Sequence, residues 1–205
     1  MTSRTSRVSG VILAAGPSKR FSGELPKQLA EFRGEPLVRR VTRRVLASRL
    51  RQVLVVVGHR GPALAAVMAG LAIELIDNCA FRSGQSSSVK CALPHIEPDA
   101  DAALFIPGDQ PFLAPEVLNS LVETFEQTAA PIVLPTSEGR RGSPVLIARS
   151  LFPELAKLEG DAGGRQLFDH HQAEIVEVPV ADPLCLRDID TWDDYVELLE
   201  IAERA

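Results

Sequence analysis

The stretch "IPGDQP", Ile106–Pro111, puts one carboxylate, Asp109, where an apolar run ends between a glycine and a proline. A carboxylate at the carboxyl end of a buried strand suits a hard cation. Mg²⁺ takes oxygen ligands and usually arrives with substrate phosphates. A turn Asp capping the helix near Pro115 would look the same. A second chemical stretch is "VILAAGPSKRF", Val11–Phe21. Small Ala14, Ala15 and Gly16 let a ligand approach the backbone closely. Exposed N–H groups, together with Lys19, Arg20 and Lys27, would then face a polyphosphate. An ordinary strand-to-loop turn with surface charge explains the same residues. No G-x-G-x-x-G follows this strand and the chain holds no G-x-x-x-x-G-K-[ST]. That argues against a dinucleotide-binding dehydrogenase and a P-loop ATPase.

A third stretch, "RDIDTWDD", precedes the last helical segment. Asp188 and Asp190 alternate as on extended chain, so both point the same way. Asp193 and Asp194 fall in the first helical turn, where negative charge is favoured. Thr191 with Asp194 reads as a capping box. Asp190 is therefore the better second metal ligand beside Asp109. "RSGQSSSVK" sets Ser86, Ser87 and Ser88 at a helix start. They could cap that helix, or offer hydroxyls and N–H groups to a base or sugar. His59, His95, His170 and His171 share no metal-ligand spacing and read as surface or core residues. No Ser–His–Asp arrangement can be built. Cys79, Cys91 and Cys185 form no metal-type pair and read as buried, reduced thiols.

The elements that must position these groups alternate between strand and helix. Strands are expected at Val8–Ala14, Gln52–Gly58, Leu71–Ile76, Asp101–Asp109, Pro131–Pro135, Pro144–Ile147 and Glu174–Val178. Helices are expected at Glu35–Ser48, Pro62–Ala69, Ser86–Leu93, Ala114–Thr128, Arg149–Lys157, Arg165–His170 and Trp192–Arg204. The run "QVLVVVG" is continuously apolar, as a strand covered on both faces must be. Such alternation without a linker argues for one α/β domain over residues 1–205 on a mostly parallel sheet, with residues 1–7 as a disordered tail. Ligands of such sheets sit outside the carboxyl ends of the strands. That rule selects the turn after Ala14, the loop after Ile76 and the turn at Gly108–Asp109. The expected first helix carries Arg39, Arg40, Arg43 and Arg44 on one side, which reads as a solvated face.

With 205 residues and 45% apolar content the chain can bury a sizeable core. Lys plus Arg is 22 against 27 for Asp plus Glu, a net charge of −5, which disfavours nucleic acid as a partner. No apolar run is long enough for a bilayer, and the first ten residues lack a signal peptide's apolar centre. A cytoplasmic protein without a membrane partner is the expectation.

Taken in order, "LAAG", "SKRF…PKQL", "SGQSSSV", "IPGDQP", "GSPVLI", "GDAGGR" and "DIDTWDDY" resemble the molybdenum cofactor nucleotidyltransferases, from Val11 to about Tyr195. "LAAG" and "GDQP" lean to the cytidylyl branch rather than the guanylyl one. "ELPKQL" is similar to the cytidylyltransferases of isoprenoid synthesis, which share the fold. The resemblance implies a Rossmann-like, three-layer α/β/α fold. It implies transfer of CMP from CTP to the terminal phosphate of molybdopterin, with release of pyrophosphate. GTP in place of CTP, an isoprenoid or sugar phosphate as acceptor, or a non-enzymatic cofactor carrier are the alternatives, and a molybdoenzyme would be the recipient. Carried over by position, Leu13, Ala14, Ala15 and Gly16 would hold the nucleotide, with Gly108 in the second turn. Arg20 and Lys27 would bind its phosphates, and Ser86–Ser88 would lie near base or ribose. Asp109 and Asp190 would hold Mg²⁺, or Mn²⁺ in its place. Pro144 and the turn from Asp161 to Arg165 would line the pterin side. Pro17 departs from the polar residue or Gly frequent in the family and stiffens the loop.

Overall fold

The computed structural model describes residues 6–21, 25–160 and 165–204. In chain order its elements are β1 (Val8–Leu13), β2 (Glu31–Phe32), β3 (Glu35–Pro36), α1 (Leu37–Leu46), β4 (Gln52–Val57), α2 (Gly61–Val67), β5 (Glu74–Asp77), α3 (Gln85–Ala92) and β6 (Ala102–Pro107). They continue with α4 (Pro115–Thr128), β7 (Ile132–Ser137), β8 (Arg140–Arg141), β9 (Val145–Ala148), α5 (Phe152–Leu155), α6 (Arg165–His170), β10 (Ile175–Pro179) and α7 (Trp192–Arg204). The sheet runs β10-β7-β9-β6-β1-β4-β5, with β8 attached to β7. β1 pairs in parallel with both β4 and β6. β9 runs antiparallel to β6 and β7, and β8 antiparallel to β7.

Strand alternation sends side chains to two cores, one on each sheet face. Val8 and Ile12 of β1, Val53 and Val55 of β4, and Leu104 and Ile106 of β6 meet α1, α2, α4 and α7 through residues such as Val41, Leu64, Leu121 and Leu198. Val11, Leu54, Val56, Ala103 and Phe105 meet α3 and α5 through Val89, Ala92, Phe152 and Leu155, and α6 through Leu167. The result is the mostly parallel sheet that the apolar pattern predicts, in the three-layer α/β/α arrangement that the resemblance implies.

Several elements differ in extent. The first helix begins at Leu37 because Glu35–Pro36 pairs with Glu31–Phe32 in a hairpin. Its two turn residues, Arg33 (φ 54°) and Gly34 (φ 80°), both lie in the left-handed region that such a two-residue turn requires. β5 starts at Glu74, three residues after the expected Leu71, since Leu71 and Ile73 bond within a local turn. The expected helix Arg149–Lys157 is a 3₁₀ turn, Arg149–Leu151, followed by one short turn of α5. Ser6 and Arg7, expected in a disordered tail, are tied by their N–H groups to Glu126 and Asp101.

The arginine face of α1 is not simply solvated. Arg39 donates to the Val67 carbonyl (2.7 Å) and Arg40 to that of Pro111 (3.2 Å). Arg44 donates to the carbonyls of Phe112 and Leu113. Only Arg43 is exposed, beside Glu35. Guanidinium groups here satisfy loop carbonyls that no strand pairs, and so hold the segment just after Asp109.

His171 joins the end of α6 to two other elements. Its Nε2 lies 3.0 Å from Glu154 and its Nδ1 2.7 Å from Glu174. Hydrogen bonds to Glu154 and Glu174 raise its pKa above the ordinary 6.5, against a small effect of burial. A raised folded pKa gives stability that is complete below the unfolded value and is lost as pH rises through the folded one. His171→Gln should therefore lower Tm clearly at about pH 5.5 and much less at about pH 8.5, as thermal melts in both buffers would record.

Candidate functional site

A cavity of about 720 Å³ opens at the carboxyl ends of β1, β4, β5 and β6. One wall is the turn after β1. Leu13, Ala15, Gly16 and Pro17 line it, and a Cβ built on Gly16 would meet nothing within 4 Å. Ser18 follows in a left-handed conformation (φ 52°). Its hydroxyl donates to Gln28 (2.8 Å) and accepts from the Lys27 N–H (3.3 Å). The first loop is thereby tied to the 3₁₀ turn Lys27–Leu29, and the stiffness of Pro17 adds to a loop already fixed at its next residue.

The charged floor is formed by Lys27, Asp109, Asp190 and Arg20. Lys27 Nζ lies 2.6 Å from Asp109 Oδ2 and 3.0 Å from Asp190 Oδ1, and Arg20 lies 2.9 Å from the other oxygen of Asp190. Lys27 and Asp109 are only 10% and 17% exposed, whereas Arg20 is 72% exposed. Burial works against the Lys27 charge, but Asp109 and then Asp190 outweigh it and raise the pKa. Burial also raises the pKa of Asp109; Lys27 opposes this, and Asp188 and Asp190 add to it. Burial and the neighbouring Asp190 raise Asp188 likewise. Asp109 Oδ1 is buried and has no hydrogen-bond partner.

The backbone explains why these groups converge. Gly108 N–H bonds the Leu13 carbonyl (3.1 Å), and a Cβ on Gly108 would sit 3.2 Å from that of Ala14. The two turns can pack together because residue 108 has no side chain. Ile189, fully buried, donates its N–H to the Asp109 carbonyl (3.0 Å) and so brings Asp188 and Asp190 alongside. Below them Asp194 accepts from Thr191 N–H (2.7 Å) and Asp190 N–H (3.1 Å) while its own N–H bonds Thr191, which is the capping box read from the sequence.

The opposite wall lies mainly on the loop after Ile76, which the sequence selects as a ligand place without naming these residues; His59, after β4, is outside that selection. His59, Phe81, Arg82, Gly84 and Gln85 line it. His59 donates its N–H to Ala15 (3.1 Å) and its ring lies 6.0 Å from Phe81, over which Arg82 extends. The one signal was their place: each follows a strand's carboxyl end. Of the three serines, Ser88 lines the cavity; Ser87 and Ser88 both accept from Asn78, and Ser87 donates to the Gly84 carbonyl. Ser86 is buried, as are Ala14 and Pro144, and neither these nor Ser87 and Gly108 border the cavity. Asp161 lies outside the described residues, and Arg165 opens α6. The cysteines are free but not buried: Cys79 is exposed on the loop after β5, and Cys91 and Cys185 are half-buried.

The chain that forms this crevice is similar to known proteins. The model of the MobA-like NTP transferase domain matches residues 10–175. The chain belongs to that family. It is accordingly an enzyme of the nucleotidyltransferase class. The match takes in the cavity except for Asp190. Outside the family model, the chain is 32% identical over 145 residues to the bifunctional protein GlmU of Sorangium cellulosum, across 67% of this chain and 30% of that protein. The chain thus spans less than a third of that relative's length. It is 29% identical to nicotine blue oxidoreductase of Paenarthrobacter nicotinovorans, across 94% of this chain and 96% of that protein. The manganese complex of Rv0371C from Mycobacterium tuberculosis superposes with a TM-score of 0.81 at 28% identity, over 96% of this chain and all of that one. Among the described residues of this MobA-like chain no helix is long and apolar enough to cross a membrane.

Proposed function

We propose that the chain transfers the cytidylyl group of CTP to the terminal phosphate of molybdopterin and releases pyrophosphate. The observation that carries this reading is Lys27 held between Asp109 and Asp190 on the floor of a cavity walled by the "LAAG" turn. Two acids and two cations at one point suit a polyphosphate and its counter-ion. The motif resemblance supports CTP and the molybdenum acceptor.

Asp109 and Asp190 fit a divalent cation. One buried Asp109 oxygen has no partner, and the manganese complex of Rv0371C is similar in fold. Among the described residues no third His, Cys, Asp or Glu completes a metal-binding set. A two-carboxylate site suits Mg²⁺ or Mn²⁺ with phosphate oxygens and water in the remaining positions. When bound, the cation supplies Lewis-acid neutralisation of the phosphates.

The chain's own residues do the rest. The turn from Leu13 to Gly16 leaves open space for the nucleotide. Lys27 and Arg20 neutralise charge that develops on the leaving pyrophosphate as the acceptor phosphate attacks the α-phosphorus in line. A phosphate nucleophile is already ionised at neutral pH, so a general base is not needed. Incubation with CTP, GTP, ATP or UTP plus molybdenum cofactor and Mg²⁺, with pyrophosphate measured, tests the reading. Release with CTP foremost supports it. Release with GTP foremost moves the chain to the guanylyl branch, and no release overturns it.

A second reading rests on the likeness over nearly the full length to nicotine blue oxidoreductase. Turnover of nicotine blue, with no pyrophosphate formed from any nucleotide, would favour it. The paired carboxylates and cations favour phosphate chemistry.

A further inference from the structure

The side chain after Asp109 is not part of the cavity wall. Gln110 is 2% exposed, and its Nε2 donates to two carbonyls, Leu186 (3.0 Å) and Ser143 (3.3 Å). The Leu186 bond has a particular geometry. Three residues further on, Ile189 N–H bonds back to the carbonyl of Asp109. Neighbouring residues 109 and 110 thus grip both ends of the segment 186–189, and that closed ring delivers Asp190 beside Asp109. The bond to Ser143 adds the turn before Pro144. Leu186 is further seated on Gly142, where an added Cβ would lie 3.1 Å from its Cδ1.

We propose that Gln110 is a positioning residue that sets the separation of Asp109 and Asp190. This rests on the metal-assisted reading above. An amide is suited to the role because one NH₂ carries two donors and can serve two carbonyls at once. A Met of similar length fills the space and serves neither. A displacement of about 1 Å at a reacting centre can cost about 10²-fold in rate, so loosening this ring should be read in turnover before it is read in folding.

The test compares wild type with Gln110→Met and Gln110→Asn, the latter keeping the amide but shortening its reach. Measured are Tm, hydrogen exchange at the Ile189 amide, Mn²⁺ affinity without nucleotide, and kcat and KM for CTP. The expected result for Gln110→Met is a folded protein with faster Ile189 exchange and Mn²⁺ affinity at least about fivefold weaker. Its kcat falls at least about tenfold with little change in KM, and Gln110→Asn lies between. A fall in Tm with wild-type kcat and Mn²⁺ affinity would overturn the proposal, as would unfolding of both variants, since Gln110 would then be a folding element. Wild type that neither binds Mn²⁺ nor releases pyrophosphate would overturn the underlying reading instead.

Discussion

Asp109→Asn is expected to lower nucleotidyl transfer by about 10³-fold or more while leaving the protein folded. The change removes one charge and almost no volume. Its functional cost is large because Asp109 is paired with Lys27 at 2.6 Å and its second oxygen is buried and unpartnered. Its stability cost is small for a reason that can be signed. Burial raises the Asp109 pKa in spite of Lys27. A raised acid pKa means that the folded state binds the proton more tightly than the unfolded chain does. The ionised group therefore costs stability as pH rises through that range. Asn cannot ionise and avoids the cost, while Lys27 keeps Asp190. Lys27 also loses the larger of its two carboxylate partners, which offsets that gain, so the expected outcome is a Tm at neutral pH close to wild type, with transfer nearly gone. Wild-type turnover in this variant would remove Asp109 from the site.

Lys27→Met should behave differently. Turnover falls about 10²–10³-fold through loss of one preorganised charge. Stability falls too, because removing one partner of a buried pair costs about 3–5 kcal/mol while the other stays charged. Asp109 escapes that cost by holding its proton, so the loss of Tm should grow as pH rises. A divalent cation can stand where the ammonium stood. Mn²⁺ should therefore raise the Tm of Lys27→Met by more than it raises that of wild type. Equal shifts would mean that Lys27 and the cation do not share the carboxylates.

Much of this was legible because of how the sheet is buried. β1 and β6 are covered on both faces, so each is largely apolar, and each leads into a glycine turn where ligands of such sheets sit. Asp109 and the "LAAG" turn follow from that. Asp190 was readable from alternation around Ile189, which is fully buried. Local spacing could not give the contact of Lys27 with Asp190, 163 residues apart, because it depends on the path of the whole chain. For the same reason His59 was missed, and Phe81 and Arg82 were placed only as far as their loop, since the wall is built from loops after two different strands. The serines misled in part, since Asn78, packed under α3, takes up two of the hydroxyls. The arginines of α1 looked like a solvated face because nothing in a helical pattern tells which loop carbonyls lie within reach.

The most direct test of the central claim is the fate of the α-phosphorus. CTP labelled at that atom is incubated with the enzyme, Mg²⁺ and molybdenum cofactor, and the products are separated. The expected result is label in a cytidylyl adduct of the acceptor, matched one for one by pyrophosphate, and loss of both in Asp109→Asn. Label that stays in CTP, or appears only as free CMP, would contradict it.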